Sequence, residues 1–150
     1  VASLVGSEMC IRDSSCTTSP SDLRPFTSDA CTAFPEGPRE DRSRWADCCL
    51  QHDIAYWIGG TYSDRLRADQ DLRRCVEDTG HPHLAPYMAN VVRAGGSPYL
   101  PTSFRWGYGW PYPRGYRTLT PDERTHAALL LDEAGHPIPD HLLFPVPSDP

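Results

Sequence analysis

Between Cys48 and Tyr56 the chain reads Cys48-Cys49-Leu50-Gln51-His52-Asp53-Ile54-Ala55-Tyr56, which sets two adjacent cysteines, a His–Asp pair and a tyrosine close together. Activating a nucleophile near neutral pH needs a base to deprotonate it, and positive charge where negative charge develops. His52 has the chemistry of the base, because its charge changes in the physiological range. An imidazole in that role needs a carboxylate behind it to fix the tautomer and stabilise the charged form. The candidates are Asp69 and Asp71. Asp53 is the candidate for holding a cation, since a hard ion takes oxygen ligands.

A helix with about 3.6 residues per turn places Cys48, His52 and Tyr56 in one row, with Cys49 and Asp53 in the neighbouring row. The spacing predicts that helix from about Ser43 to Ile58, heavily buried at Trp45, Cys48, Cys49, His52, Ile54 and Tyr56, and ended by Gly59-Gly60. A second helix is predicted from a Ser63 cap to about Asp78, with Gly80 just beyond. Its apolar positions Leu66, Leu72 and Val76 fall on one face. Asp69 shares that arc, whereas Asp71 leans toward the polar side, and a carboxylate on an apolar arc needs a partner. The short connection makes the two helices antiparallel.

A third helix is expected from Leu84 to Ala94, with Pro86 in its first turn and Gly95-Gly96 as the stop. The aromatic, Gly- and Pro-rich stretch from Ser97 to Arg117 reads as loop with a short hairpin. Thr120-Pro121-Asp122-Glu123 signals a last helix, ending near Ala134-Gly135. From Pro137 the tail reads as irregular. The fold class is therefore mainly α.

The run C-C-x-x-H-D-x-x-Y resembles the active-site helix of the secreted and prokaryotic phospholipase A2 superfamily, and each fixed position is filled here. The resemblance covers about residues 31 to 76. It implies a disulfide-linked helix pair carrying the His/Asp site, with a metal-binding loop before it. The implied bridges are Cys31–Cys49 and Cys48–Cys75, although spacing alone permits other connectivities. The resemblance also points to Asp69, six residues before Cys75, as the partner of His52. Six residues of helix span about 9 Å, a height that falls between His52 and Tyr56 when measured from the Cys48–Cys75 bridge. Tyr56 would add a supporting hydrogen bond. Asp53 would bind Ca2+ together with loop carbonyls between Ala30 and Gly37, near Glu36. That loop departs from the family, whose calcium loop is glycine-rich, since Ser28-Asp29-Ala30-Cys31-Thr32-Ala33-Phe34-Pro35-Glu36-Gly37 offers only Gly37.

The implied activity is calcium-dependent hydrolysis of a phospholipid acyl ester, with His52 activating water and Asp69 orienting His52. The alternative is a phospholipase A2-like secreted binding or toxin module with little catalysis. A zinc site on Cys48, Cys49 and His52 is the weaker third reading, because adjacent cysteines rarely reach one tetrahedral ion together.

The 150 residues, 39% of them hydrophobic, suit one modest core. We read residues 15–150 as a single domain with an irregular tail over 137–150. A net charge of -6 argues against nucleic acid as a partner, since that affinity rests on cations neutralising phosphates. It also argues against strong docking on an anionic membrane. No apolar run reaches the roughly 18 residues that a membrane span requires. The expected partner is a phospholipid or membrane interface met as substrate. Residues 1–14 resemble a translated sequencing-adapter remnant, which would make Cys10 non-native and leave Cys16 without an assigned partner. Disulfides imply an oxidising compartment, hence a secreted or periplasmic protein. Trp106, Tyr108, Trp110, Tyr112 and Tyr116 read equally as an acyl-chain wall, a membrane-facing rim or ordinary core. No role is assigned to His81, His83, His126, His136 or His141.

Overall fold

The computed structural model describes residues 22–28 and 42–143. The adapter-like opening, Cys16, the loop around Cys31 and the tail after Leu143 lie outside the described residues. Within them run five α-helices: α1 Arg42–Ile58, α2 Tyr62–Asp78, α3 Leu84–Gly95, α4 Pro121–Glu133 and α5 Asp140–Leu143. No strand occurs among the described residues.

Helix α1 is the centre of the packing. Trp45, Cys48, Cys49, His52, Ile54, Tyr56, Trp57 and Ile58 are all buried, and between Trp45 and Ile58 only Asp47 and Gln51 are exposed. One side meets α2 and α3 through Cys48, Cys49, Leu72, Val76, Ala85 and Met88. The other meets Leu23, Trp110, Leu119 and the α4–α5 pair through Ala127, Leu131 and Leu142. Cys48 and Cys75 form a disulfide between α1 and α2. Successive contacts Cys48–Cys75, His52–Asp69 and Tyr56–Arg65 run in opposite order along the two helices, which are therefore antiparallel.

The last four carbonyls of a helix have no partner inside it. In α1 all four find one. Ala55 accepts from the Gly59 amide at 3.1 Å, Tyr56 from the Gly107 amide at 2.6 Å, Trp57 from the Gly109 amide at 3.0 Å, and Ile58 from the Trp110 indole at 2.7 Å. The Trp106 indole donates to the Gly60 carbonyl at 3.0 Å. Trp106 and Trp110 are thus buried core residues rather than an exposed rim. The expected hairpin is absent for the same reason, because its amides face helix ends instead of a second strand. Gly59 turns left-handed at φ +74°, and a Cβ there would lie 3.0 Å from the Gly107 Cα. Only glycine fits that turn and that approach.

Helix α2 is capped by Thr61, not Ser63. Thr61 accepts from the Asp64 amide at 3.2 Å and its own amide donates to the Asp64 carboxylate at 2.9 Å, a reciprocal box that Ser63 has no acid to complete. The buried arc also differs from the expected one. Leu66 is 39% exposed, and the inward residues are Arg65, Ala68, Asp69, Leu72 and Val76. Arg65 takes the inner position because its donors find acceptors there. Gly95 is the last residue of α3 and Gly96 its cap. Helix α4 starts at the Thr120–Glu123 box as expected, and Glu123 also pairs with buried Arg114 at 2.7 Å. The tail is not wholly irregular, since α5 buries Leu142 against α4.

Candidate functional site

Helices α1 and α2 bring His52 and Asp69 together in the interior. Cys48, one turn before His52, is tied to Cys75, so the two rows stand in fixed register. His52 Nε2 lies 2.8 Å from Asp69 Oδ1, and the two residues are 7% and 3% exposed. Tyr56, one turn further along the row, donates its hydroxyl to the same oxygen at 2.7 Å. The His52 and Tyr56 rings lie 4.3 Å apart. Asp71, the other candidate, is exposed and its carboxylate lies 4.0 Å from Arg74 on the surface.

Burial alone would push the Asp69 carboxyl up. The hydrogen bonds from His52 and Tyr56, the His52 charge and the Arg93 hydrogen bond outweigh it and hold the group below the usual carboxylate range. An ionised Asp69 can only accept, so the proton between them sits on His52 Nε2, and in the neutral imidazole Nδ1 is then the acceptor. Among the described residues, none hydrogen-bonds Nδ1. Burial, reinforced by the charge of Asp69, pushes the Tyr56 phenol far above the ordinary tyrosine range. It therefore stays protonated and keeps donating.

Two arginines complete the cluster, and neither was singled out from sequence. Arg93 Nη1 donates to Asp69 Oδ2 at 3.0 Å. Buried Arg65 donates from Nε to the Tyr56 hydroxyl at 3.0 Å, from Nη1 to the Tyr116 hydroxyl at 2.8 Å, and from Nη2 to the carbonyls of Val92 and Arg93 at 3.1 and 2.8 Å. The available signal was a cation one turn before Asp69 on the inner arc of α2.

His52 lines a pocket of about 340 Å3 between α1 and α2. Ala55, Ala68 and Leu72 supply apolar wall, and the segment from Pro137 to His141 closes one side. Asp69 is not among its lining residues and stands behind His52. His141 had no expected role, yet it contributes to this wall, where burial lowers its basicity.

Asp53 follows His52 in α1, on the neighbouring row. Its Oδ2 accepts from the Ser28 hydroxyl at 2.5 Å. The Tyr108 hydroxyl holds the adjacent backbone, donating to the Thr27 carbonyl at 2.6 Å with the Asp53 carbonyl 3.3 Å away. Carboxylate, hydroxyl and carbonyl oxygens are the donor type that suits a hard cation. Among the described residues there is no group of three or more His, Cys, Asp and Glu able to hold a metal ion, so a cation at Asp53 would draw its other ligands from backbone carbonyls. The expected ones, between Ala30 and Gly37, lie outside the described residues. Cys49 is disulfide-bonded, as is Cys48; the expected partner of Cys49, Cys31, also lies outside the described residues. With both sulfurs in disulfides, the zinc reading loses its thiolates. No helix among the described residues is long and apolar enough to cross a membrane. Comparison of the chain with protein-family models, curated proteins and solved structures finds no match.

Proposed function

We propose that the chain is a phospholipase A2-like carboxylic ester hydrolase that cleaves a phospholipid acyl ester, with His52 as the base and calcium as cofactor. The observation that carries this reading is the buried 2.8 Å contact between His52 Nε2 and Asp69, which leaves Nδ1 as a base in a residue that lines a partly apolar pocket. Nδ1 takes a proton from a water whose oxygen attacks the ester carbonyl. Asp69 stabilises the imidazolium so formed. The same proton then passes to the departing alkoxide oxygen as the tetrahedral intermediate collapses to acid and alcohol. Asp53 and the loop carbonyls between Ala30 and Gly37 are the residues that would hold calcium, which when bound polarises the carbonyl and stabilises the oxyanion. Ala55, Ala68 and Leu72 offer the acyl chain an apolar wall. The Cys48–Cys75 bridge supports an oxidising location, secreted or periplasmic.

The test is hydrolysis of mixed phospholipid vesicles with and without calcium chelation, alongside calcium titration. His52→Gln should lower hydrolysis by roughly 100-fold or more while calcium still binds. Asp53→Asn should lose activity and calcium affinity together. Full activity in His52→Gln would refute the mechanism. Calcium binding by a wild type that cleaves no ester would favour a secreted binding module.

A further inference from the structure

The two oxygens of Asp69 are used unequally. Oδ1 carries both His52 Nε2 and the Tyr56 hydroxyl, at 2.8 and 2.7 Å. Oδ2 faces the other way and is met by Arg93 Nη1 at 3.0 Å. A carboxylate held through one oxygen remains free to turn about its Cβ–Cγ bond, and an unmatched oxygen at 3% exposure would be a desolvated acceptor with no donor. The arginine removes both problems and balances the buried charge.

Arg93 is itself held in place. It lies in the last turn of α3, whose final carbonyls at Val92 and Arg93 accept from Arg65 Nη2. One guanidinium on α2 thus anchors the end of α3, and a second guanidinium reaches back from that end to α2. The other nitrogen of Arg93, Nη2, donates to the Tyr62 hydroxyl at 3.0 Å, with the guanidinium carbon 5.3 Å from the centre of that ring. Its side chain is only 29% exposed.

We infer that Arg93 is a positioning residue of the His52 site, clamping the outer oxygen of Asp69 so that the inner oxygen stays aligned on His52 Nε2. Its effect on turnover rests on the reading of His52 as the base; its effect on the His52–Asp69 bond does not. Two measurements keep these apart. In protein carrying 15N-labelled histidine, the His52 Nε2–H resonance is identified by its loss in His52→Gln, and its exchange with water is measured at one fixed pH. Arg93→Gln should raise that exchange about 10-fold or more, since the imidazole then leans on a carboxylate free to turn. Arg93→Lys should raise it about threefold, because an ammonium restores charge and one donor but not the planar fork. Arg73→Gln, which removes only an exposed pair with Glu77, should leave it unchanged. In vesicle hydrolysis, Arg93→Gln should lower kcat about 10-fold with KM unaltered, since Arg93 does not line the pocket.

Unchanged exchange in Arg93→Gln overturns the inference, whatever the activity. If that variant fails to fold, unchanged exchange in Arg93→Lys overturns it instead. If exchange responds as expected while the wild type cleaves no ester, the clamp stands and the hydrolase reading falls.

Discussion

Replacing Tyr56 by phenylalanine removes one oxygen from the interior and almost nothing else. The ring is retained, so no cavity opens and the large-to-small penalty does not apply. Two bonds are lost. The hydroxyl no longer donates to Asp69 Oδ1 at 2.7 Å, and Arg65 Nε loses the acceptor it has at 3.0 Å. A hydrogen bond to a charged group contributes about 1.5–3 kcal/mol, and a buried donor left without a partner costs about 1–3 kcal/mol. Arg65 keeps its three other bonds, which places the total in the lower half of the combined range, at about 2.5–4 kcal/mol. Urea unfolding followed by tryptophan fluorescence measures it.

The same variant carries a pH signature. The carboxyl of Asp69 is held below its ordinary range in the folded protein, partly by Tyr56. Its contribution to stability is therefore complete above the unfolded value of about 3.9 and is lost as pH falls through the lower folded value. Tyr56→Phe lets the folded value rise. The stability gap between wild type and variant should be widest near pH 7 and narrow below about pH 4. A gap under about 0.5 kcal/mol at pH 7, or one that does not narrow in acid, would show that Tyr56 acts as a ring and not as a donor to Asp69.

Removing the Cys48–Cys75 bridge as the double alanine variant should cost about 3.5 kcal/mol by loop entropy, given the sequence separation of 27. Denaturant midpoints of the two proteins measure this, and non-reduced peptide mapping should recover Cys48 with Cys75 and Cys49 with Cys31. His141, half-buried in the pocket wall, titrates below its ordinary value because desolvation disfavours its charged form. As pH drops below about 6.5 the unfolded chain takes that proton more readily than the folded one, so stability falls. His141→Gln should flatten the pH dependence of the unfolding midpoint between pH 7.5 and pH 5, and an equal slope in both proteins would remove His141 as its source.

What could be read in the sequence was local. Cys48, His52 and Tyr56 share a row because helical spacing puts them there, and Asp69 stands out by its place on the arc of Leu72 and Val76 and by the six-residue spacing to Cys75 that the phospholipase A2 resemblance implies. Both inferences needed only neighbours within a few turns. The misses have non-local causes. Leu66 outranks Arg65 in hydrophobicity, yet Arg65 is the buried one, because its acceptors come from Tyr56, Tyr116 and the end of α3. Arg93 lies 24 positions from Asp69, with no pattern to join them. Trp106 and Trp110 stayed undecided because the carbonyls they satisfy belong to a helix end some fifty residues earlier. Thr61 was missed for a nearer reason, since the acid that completes its box is Asp64 and Ser63 stands between them.

The borrowed ending of α1 sets an order of events during synthesis. Three of its four terminal carbonyls wait for donors at Gly107, Gly109 and Trp110, and the chain makes about 5–20 residues per second. Until that stretch has left the ribosome, the turn bearing Tyr56 has no partners for the carbonyls of residues 56 to 58, and the loop between must close before they are found. A nascent chain halted after α3 would own His52, Asp69 and Arg93 yet lack the stop that keeps α1 from fraying. The final turn of α1 and the Trp106–Trp110 stretch should therefore be gained late and, in a mature molecule opening toward solvent, be released together.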